Sequence, residues 1–470
     1  MFQGLLSLYN PWWGNSEWSQ AGVVRELFPY FLKSISETRY ITVLRGSRQT
    51  GKTFLVKQCI SELLKRGTSP RNIFYFLLDD QELVNYIENN PVEFSNFLKN
   101  EALARKKIFV FFDEFQKAAR LTDLIKLFYE TELEIKFILT GSSSMMIANK
   151  ISESMLGRTE TFVLYSFSFR EYLSAHAENW PFDFSLGDAN HVVSKFFKAP
   201  EDGFNPLKEY YSQYHAAYQT IAAQHLPRYL LTGGYPQPAL LETSEESFLR
   251  LKEIKQTFQE KDIINLLRIE KLREFDQCMR TLAAQSGQLL NFNDLQNTLG
   301  LNFQMLKNFL NILENSYLWK QLPVFRTNLI SALKKRPKSY FMDLGMRNFL
   351  ASTYTTNELE KEKGIVAENF CHYHLNKFVQ YDLKGLGELF FWRNADGNEI
   401  DFIVKYGNSI LPIEVKYQRT KQIKIPRGFT IFLQKMNLEH GIIISENTFE
   451  MRKIKQMKVY IVPAVVFGII

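Results

Sequence analysis

The sequence predicts an α/β protein whose N-terminal part is built on a parallel β-sheet. Short apolar segments rich in β-branched and aromatic residues alternate with helical segments between residues 40 and 165. This alternation is typical of parallel strands that are covered by helices on both faces of the sheet. A second observation supports the prediction, because the first apolar segment runs directly into a glycine-rich loop that opens a helix.

The predicted elements follow the chain in a regular order. The glycine-rich loop covers residues 46–53, and a helix is predicted after it at 54–65. Further along, residues 170–270 predict mostly helices, 275–330 a small helical module, and 360–470 a helix, short strands and a basic tail at 452–458. The predicted strands of the first sheet cover residues 40–44, 73–78, 108–112, 136–139 and 161–165.

Length and composition set the class of protein. The chain has 470 residues, enough for about three domains at roughly 100–200 residues each. Its three cysteines are far apart, which argues against a disulfide framework or a cysteine-based zinc site and fits a reducing cytosol. We find no signal peptide and no long apolar run, so the expected location is cytoplasmic, without a membrane partner.

Positive charge is concentrated in the C-terminal part of the chain. Residues 271–470 carry 27 Lys and Arg against 18 Asp and Glu, a net charge of +9, while the remainder has a net charge of −2. A basic half of this kind favours either a nucleic-acid partner or a mildly basic solvated surface.

The glycine-rich loop carries a phosphate-binding motif. Its sequence is Gly46-Ser47-Arg48-Gln49-Thr50-Gly51-Lys52-Thr53, which matches G-x-x-x-x-G-K-[ST] at every defined position. The glycines let backbone N–H groups surround the phosphates, Lys52 reaches the β- and γ-phosphates, and the Thr53 hydroxyl ligates Mg²⁺. The sequence therefore predicts a site for ATP and Mg²⁺ that includes all eight residues.

An acidic pair follows the third predicted strand. Asp113 is expected to hold Mg²⁺, and Glu114 to orient and polarise the attacking water. The alternative is that this pair only caps a helix, but the loop upstream favours the functional interpretation.

Two further positions are candidates for the same site. Thr140 or Ser142, at the end of the fourth strand, is placed to sense the γ-phosphate, or else forms a polar turn. Arg158, just before the fifth strand, is a candidate arginine finger that would act on a neighbouring subunit and so require an oligomer. The alternative for Arg158 is an ordinary surface arginine.

A second candidate site lies near the C-terminus. Asp401 lies on one predicted strand, and Glu414 and Lys416 lie on the same side of the next strand. Asp401 and Glu414 could ligate Mg²⁺ or Mn²⁺ through oxygen, Lys416 could position water, and Glu368 on the preceding helix could add a carboxylate. The alternatives are an exposed hairpin of alternating charge, or a domain that keeps this core without cutting anything.

A helix-turn-helix pattern precedes this site, with helices predicted at 293–299 and 303–315. Gln304, Lys307, Asn308 and Asn311 fall on one face of the second helix and could meet DNA, or the module could serve only for packing. The basic run 334–338 could touch phosphates or form a solvated turn. The apolar positions with core spacing are Leu295, Leu299, Leu301, Leu306, Phe309, Leu310 and Leu313.

The chain resembles a bacterial and archaeal family of AAA+-type ATPases with a C-terminal domain related to PD-(D/E)XK nucleases. The resemblance implies a P-loop ATPase domain at 1–174, a helical lid at 175–270, a winged helix at 271–355 and a restriction-endonuclease-like domain at 356–470. This chain departs from the family by a long aromatic-rich segment at about 175–225. The matching segments, in order, are GSRQTGKT, FFDEFQ, LTGSSS, LGR, SFREYL, GGYPQ, PKSYFMDLGMRNFL, GIVAENF, NEIDFIV and IEVKY.

The leading hypothesis is Mg²⁺-dependent ATP hydrolysis coupled to action on DNA, with metal-dependent cleavage as its strongest form. The main alternative is an ATP-driven switch whose C-terminal domain only binds DNA or a protein partner. A slow ATPase in signalling or defence assembly is a third hypothesis.

Overall fold

The structure is a computed structural model that describes most of the chain. The described residues form two compact units, one ending at residue 165 and the other beginning at residue 166. Most of the predicted insertion at 175–225 lies outside the described residues, as do Leu156 and Lys334. The described ranges are 2–15, 17–102, 107–129, 134–142, 157–176, 218–264, 271–326, 335–418 and 422–469.

The first unit contains the predicted five-stranded parallel sheet. The strands lie in the order β2-β3-β4-β1-β5, and every neighbouring pair is parallel. The fifth strand begins two residues earlier than predicted, because residue 159 already pairs with Ile41 of β1. The strands are β1 (Ile41–Arg45), β2 (Ile73–Leu77), β3 (Ile108–Asp113), β4 (Ile135–Gly141) and β5 (Thr159–Val163).

Helices accompany this sheet, and apolar side chains fill the space between them. Phe74, Phe76, Phe112 and Phe137 belong to one buried cluster, in which the rings stack along β2 and from β2 through β3 to β4. Because both faces of β2 and β3 are buried, the sequences of these strands are almost entirely apolar and rich in phenylalanine. The helices are Phe2–Tyr9, Phe28–Glu37, Lys52–Lys65, Gln81–Asn89, Pro91–Glu101 and Leu121–Tyr129, with 3₁₀ turns at Pro11–Trp13, Pro70–Asn72 and Phe115–Lys117.

The second unit begins with a helical region. Its two helices Phe292–Leu299 and Phe303–Asn315 agree with the predicted pair, and Gly300 joins them in a left-handed conformation with φ +63°. All seven predicted apolar positions of this pair are buried. The other helices are Phe169–His176, Tyr218–Thr232, Pro236–Ala239, Ser244–Phe258, Leu272–Ala284, Leu344–Ala351, Thr356–Lys361, Lys363–Tyr381, Arg427–Lys435 and Ala464–Ile469, and Gln259–Ile264 is a π-helical segment.

Two sheets complete this unit. The hairpin of β6 (Trp319–Leu322) and β7 (Lys338–Phe341) follows the helix pair. A six-stranded mixed sheet has the order β12-β13-β11-β10-β9-β8. Its strands are β8 (Glu388–Arg393), β9 (Glu399–Tyr406), β10 (Ser409–Lys416), β11 (His440–Ser445), β12 (Glu450–Ile454) and β13 (Met457–Pro463).

The prediction of a basic tail at 452–458 is wrong. These residues form part of the antiparallel hairpin of β12 and β13, and a helix follows at Ala464–Ile469. The sequence signal was the alternation of basic and apolar residues around Ile454 and Met457, which is the period of a half-buried strand.

Glycines allow two distant segments of the second unit to cross closely. Gly234 donates its N–H to the Asp343 carboxylate at 2.9 Å, and the same side chain caps the helix Leu344–Ala351 by accepting the Met346 N–H at 2.9 Å. A Cβ on Gly345 would overlap the carbonyl oxygen of Thr232. The segments GGYPQ and DLGM therefore owe their glycines to one tight backbone crossing.

We expect Gly345→Ala to destabilise the second unit. The added methyl group would force apart two backbone segments, at a cost of about 1–3 kcal/mol by analogy with overpacked cores. Thermal unfolding followed by circular dichroism measures this change. The matched control is Gly364→Ala, since a Cβ at this helical glycine meets no atom within 4 Å. Equal melting temperatures for both variants would contradict the assignment of this crossing.

Candidate functional site

The phosphate loop joins the end of β1 to the helix Lys52–Lys65. That helix begins two residues before the predicted start, so Lys52 and Thr53 belong to its first turn. Gly46, Gln49 and Gly51 have φ values of +152°, +60° and +92°. Such positive φ values turn successive backbone N–H groups towards one concave surface, as anion-binding loops require.

Lys52 closes the loop in this conformation. Its buried ammonium group donates to the carbonyl oxygens of Gly46 at 3.0 Å and Ser47 at 2.7 Å. Thr50 accompanies it by donating its hydroxyl to the Ser47 carbonyl at 2.9 Å. The lysine is thus held inside the loop, and its contact with the β- and γ-phosphates stays a prediction.

Arg25 supports the loop from the preceding segment and was missed by the sequence reasoning. Its guanidinium group is buried and donates to the carbonyl oxygens of Thr50 at 2.7 Å and Tyr165 at 2.6 Å. The contact joins residues that are 25 and 140 positions apart, so no local pattern could reveal it.

Asp113 lies at the carboxyl end of β3 and accepts hydrogen bonds from three hydroxyl groups. Thr53 and Tyr75 each donate to Oδ2 at 2.6 Å, and Thr140 donates to Oδ1. Burial and the adjacent Asp113 carboxylate raise the pKa of the Tyr75 hydroxyl far above its ordinary value, so this group is a donor. Thr53, Asp113 and Thr140 are therefore brought together as predicted, whereas Tyr75 was not foreseen.

Glu114 follows with an unusual backbone conformation. Its φ of +59° is left-handed, a strained conformation that is often found at functional sites. Gln116 donates its amide to both the Glu114 carboxylate and the Ser142 hydroxyl, and Ser142 lies 3.4 Å from Glu114. Gln116 belongs to the FFDEFQ segment but had been given no role.

Arg158 lies immediately before β5, where it was predicted. Its carbonyl oxygen accepts the Ile41 N–H at 2.8 Å, so the backbone is fixed beside β1. The arginine-finger role of its side chain stays a prediction.

The carboxylates of the second candidate site lie close together, and Glu414 and Lys416 share one side of β10 as the strand alternation indicated. Asp401 of β9 accepts the Val415 N–H at 2.9 Å, and Lys416 donates to Glu414 at 2.6 Å on β10. Burial and the neighbouring Asp401 raise the pKa of Glu414 above its ordinary value. The same two causes raise the pKa of Glu368, on the helix Lys363–Tyr381.

Lys338 is an unexpected member of this cluster. The basic run 334–338 was predicted to touch phosphates or form a solvated turn, but Lys338 is buried at the start of β7. Its ammonium group lies 2.5 Å from Glu399, 3.6 Å from Asp401 and 3.7 Å from Glu368. Burial alone would lower its pKa, but Asp401, Glu368 and Glu399 together raise the pKa of Lys338 above its ordinary value.

The predicted metal ligands of the second site therefore do not fit a divalent ion in this arrangement. Asp401 faces the Lys338 ammonium group, and Glu414 faces that of Lys416. Within the described ranges, no group of three or more His, Cys, Asp or Glu side chains has the arrangement of a metal site. Lys338 with Asp401, and Lys416 with Glu414, form ion pairs instead.

Family models match three parts of the chain. Residues 38–173 match an AAA domain, 223–357 a domain of unknown function (DUF8612), and 363–465 a second domain of unknown function (DUF4143). The AAA match contains the whole parallel sheet and its phosphate loop. The chain therefore carries an AAA-type ATP-binding domain.

Similar proteins span most of the chain. An uncharacterized protein of Haemophilus influenzae is 22% identical over 85% of this chain and 88% of its own length. One from Methanocaldococcus jannaschii is 24% identical over 80% of this chain and 75% of its own length. A Walker-type ATPase of Pyrococcus abyssi is similar in structure, with a TM-score of 0.38 and 15% identity over 70% of this chain and 96% of that chain. Across the parts of the chain that the structure describes, no helix is long and apolar enough to span a membrane.

We expect Tyr75→Phe to lower the affinity of the proposed ATP site for Mg²⁺. Losing the hydroxyl that orients Asp113 should raise the Mg²⁺ concentration needed for half-maximal binding by about 10-fold, as for other groups that orient metal ligands. A fluorescent ATP analogue titrated with Mg²⁺ measures this effect. Tyr40→Phe is the control, since Tyr40 is 50% exposed, and an unchanged Mg²⁺ requirement in Tyr75→Phe would remove Tyr75 from the site.

Proposed function

We propose that this protein hydrolyses ATP with Mg²⁺ and couples the hydrolysis to action on DNA. The observation that carries the first part is the convergence of Lys52, Thr53, Asp113 and Glu114 at one edge of the sheet. The Thr53 hydroxyl lies 2.6 Å from the Asp113 carboxylate, and this pair of oxygen donors suits Mg²⁺, which prefers few protein ligands together with substrate phosphates.

Each residue of the loop and strand ends would have a distinct role. Lys52 would exchange its hydrogen bonds to two loop carbonyl oxygens for hydrogen bonds to phosphate oxygens. The backbone N–H groups of the loop would bind the same phosphates. Thr53 and Asp113 would hold Mg²⁺, which when bound neutralises charge on the phosphates. Thr140, between the loop and Asp113, would contact the γ-phosphate.

Glu114 would orient the attacking water. Its carboxylate is held by Gln116, which also contacts Ser142 at the end of β4. A γ-phosphate near Ser142 would compete for these hydrogen bonds and so free Glu114 for water. The pair of Gln116 and Ser142 is thus suited to connect nucleotide binding to the position of the base.

Two substitutions test the ATP site. Lys52→Ala should abolish ATP binding, and Glu114→Gln should bind ATP but lower turnover by about 10²-fold or more, because the water loses its base. Nucleotide binding and phosphate release are measured separately. Lys65→Ala, at the exposed end of the same helix, is the control. Near-normal turnover in both site variants would refute the proposed ATPase.

Action on DNA is supported by the basic surface of the second unit. Lys453 and Lys458 lie directly opposite each other in the hairpin of β12 and β13, although like charges in cross-strand pairs are destabilising. Lys455 at the turn is exposed. Phosphates bound at this hairpin would relieve the repulsion.

The helix pair offers a second surface for DNA. Gln304, Lys307 and Asn311 are exposed on the second helix, and Asn308 is half-buried. Helix pair and β6–β7 hairpin together support the proposal of a winged helix. We propose that the helices before the winged helix form the lid. We also propose that Arg158, before β5, acts on a neighbouring subunit within a homo-oligomer. The alternative remains a switch whose second unit binds DNA or protein without cutting.

DNA cleavage is the second candidate function, and the convergence of Asp401, Glu414 and Lys416 specifically favours it. The order of elements from the helix Lys363–Tyr381 through three antiparallel strands, the helix Arg427–Lys435 and β11 supports a nuclease-like core. We propose no catalytic step, since the cluster is closed by its own lysines.

Incubation with single-stranded, duplex and forked DNA tests this second function, with Mg²⁺ or Mn²⁺ and with or without ATP. We expect wild-type cutting to be lost in Glu414→Ala, because Glu414 is one of the converging carboxylates. Glu388→Ala is the control, since this glutamate is exposed on β8 of the same sheet. Cutting that survives in Glu414→Ala would refute the site, while DNA-stimulated ATP turnover without cutting would favour the binding domain.

A further inference from the structure

Lys338 occupies the centre of the carboxylate cluster and is nearly inaccessible to solvent. Its side chain is only 5% exposed, and the ammonium group is within 4 Å of carboxylates from three residues, Glu368, Glu399 and Asp401. The ring of Phe391 lies 5.8 Å from the same nitrogen and adds a cation–π contact. Oxygen ligands from several elements around one positive charge are also what a divalent cation requires.

Residues 287–290 hold the backbone around Lys338 in place through hydrogen bonds and a β-bridge. Leu289 and Lys338 form an antiparallel bridge, and the N–H of Leu290 donates to the Pro337 carbonyl at 2.8 Å. The N–H of Gly287 donates to the Ser339 carbonyl at 2.8 Å. The lysine is therefore held in place by the β6–β7 hairpin and its neighbours, outside the six-stranded sheet that supplies Asp401.

Lys338 is distinct from the lysine that the sequence pattern identifies. Lys416 pairs with Glu414 at 2.6 Å, and its side chain is 34% exposed. Lys338 contacts the other side of the cluster and none of its ion pairs involves Glu414. The cluster thus contains one lysine that belongs to the pattern and one that comes from a different part of the chain.

We propose that the ammonium group of Lys338 takes the cation position of this cluster, so that a divalent metal binds only when Lys338 withdraws. A divalent ion and an ammonium group sharing the same carboxylates would repel each other strongly at such short separations. Withdrawal requires the side chain to swing out or β7 to shift, which places control of the cluster in the β6–β7 hairpin. This inference rests on the proposed nuclease-like function, but it concerns metal binding alone.

Metal titration without DNA or nucleotide tests the proposal. Mn²⁺ binding to the full chain is measured by calorimetry for wild type, Lys338→Met and Lys338→Arg. Methionine is unbranched and one heavy atom shorter than lysine, so it replaces the apolar stem without the charge. Lys338→Met should therefore bind Mn²⁺ at least about 10-fold more tightly than wild type. Lys338→Arg keeps the charge and should resemble wild type.

A double variant locates any gained site. Adding Asp401→Asn to Lys338→Met should remove the extra Mn²⁺ affinity, because Asp401 contributes a carboxylate to the cluster. Any Mn²⁺ bound at the ATP site contributes equally in all variants, because none of them alters that site. Equal Mn²⁺ affinity in wild type and Lys338→Met would overturn the proposal, whether or not either protein cuts DNA.

Chemical labelling of the wild-type protein provides a test that does not depend on the folding of a variant. Lysine acetylation followed by mass spectrometry should show Lys338 reacting slowly, and saturating Mn²⁺ should speed its reaction several-fold as the ammonium group is displaced. The exposed Lys65 is the internal reference. Mn²⁺ binding that is lost in Asp401→Asn but leaves Lys338 labelling unchanged would show that the two cations do not compete.

Discussion

The ATP site depends on the insertion of β4 between β1 and β3 in a parallel sheet. Parallel register brings the carboxyl ends of all three strands to one edge, with Leu44 beside Thr140 on one side of β4 and Phe112 beside Leu139 on the other. The loop after β1 and the acids after β3 are therefore separated by the one intervening strand β4, which puts β1 and β3 two inter-strand spacings apart, about 9.6 Å. Thr140 fills that gap, and no side chain of the site could keep its role if this order changed.

The second unit shows how buried carboxylates can be tolerated. Asp401 and Glu414 are buried next to each other, and isolated buried charges of the same sign are costly. Lys338 and Lys416 provide opposite charges from two directions, so each carboxylate has a partner. Buried ion pairs of this kind seldom add much stability, since desolvation offsets their attraction. We therefore attribute this group of ion pairs to specificity or function rather than to folding stability.

The parts of the fold that could be predicted are those with local causes. The phosphate loop is a continuous segment whose residue types are set by backbone shape and phosphate chemistry, and strand alternation placed Glu414 and Lys416 together. Tyr75, Arg25 and Lys338 could not be predicted, because each reaches its partner across many residues through the tertiary fold. The prediction of a basic tail at 452–458 was wrong because it rested on the charge of these residues. Their alternation of basic and apolar side chains is the period of a strand.

The two acidic sites differ in how ready each is for a metal. Around Asp113 the contacts are hydroxyl groups of Thr53, Tyr75 and Thr140, which are neutral and can rotate. The Thr53 hydroxyl can give up its hydrogen bond to Asp113 and turn a lone pair towards a cation. Binding of a metal ion at this site would therefore need only small movements. Asp401 accepts the Val415 N–H and also faces the ammonium group of Lys338. An ammonium group has no lone pair to offer, and its charge must leave before another cation enters. The surroundings of Asp113 thus suit the proposed Mg²⁺ site, whereas the Lys338 ammonium group closes the cluster around Asp401 to a second cation.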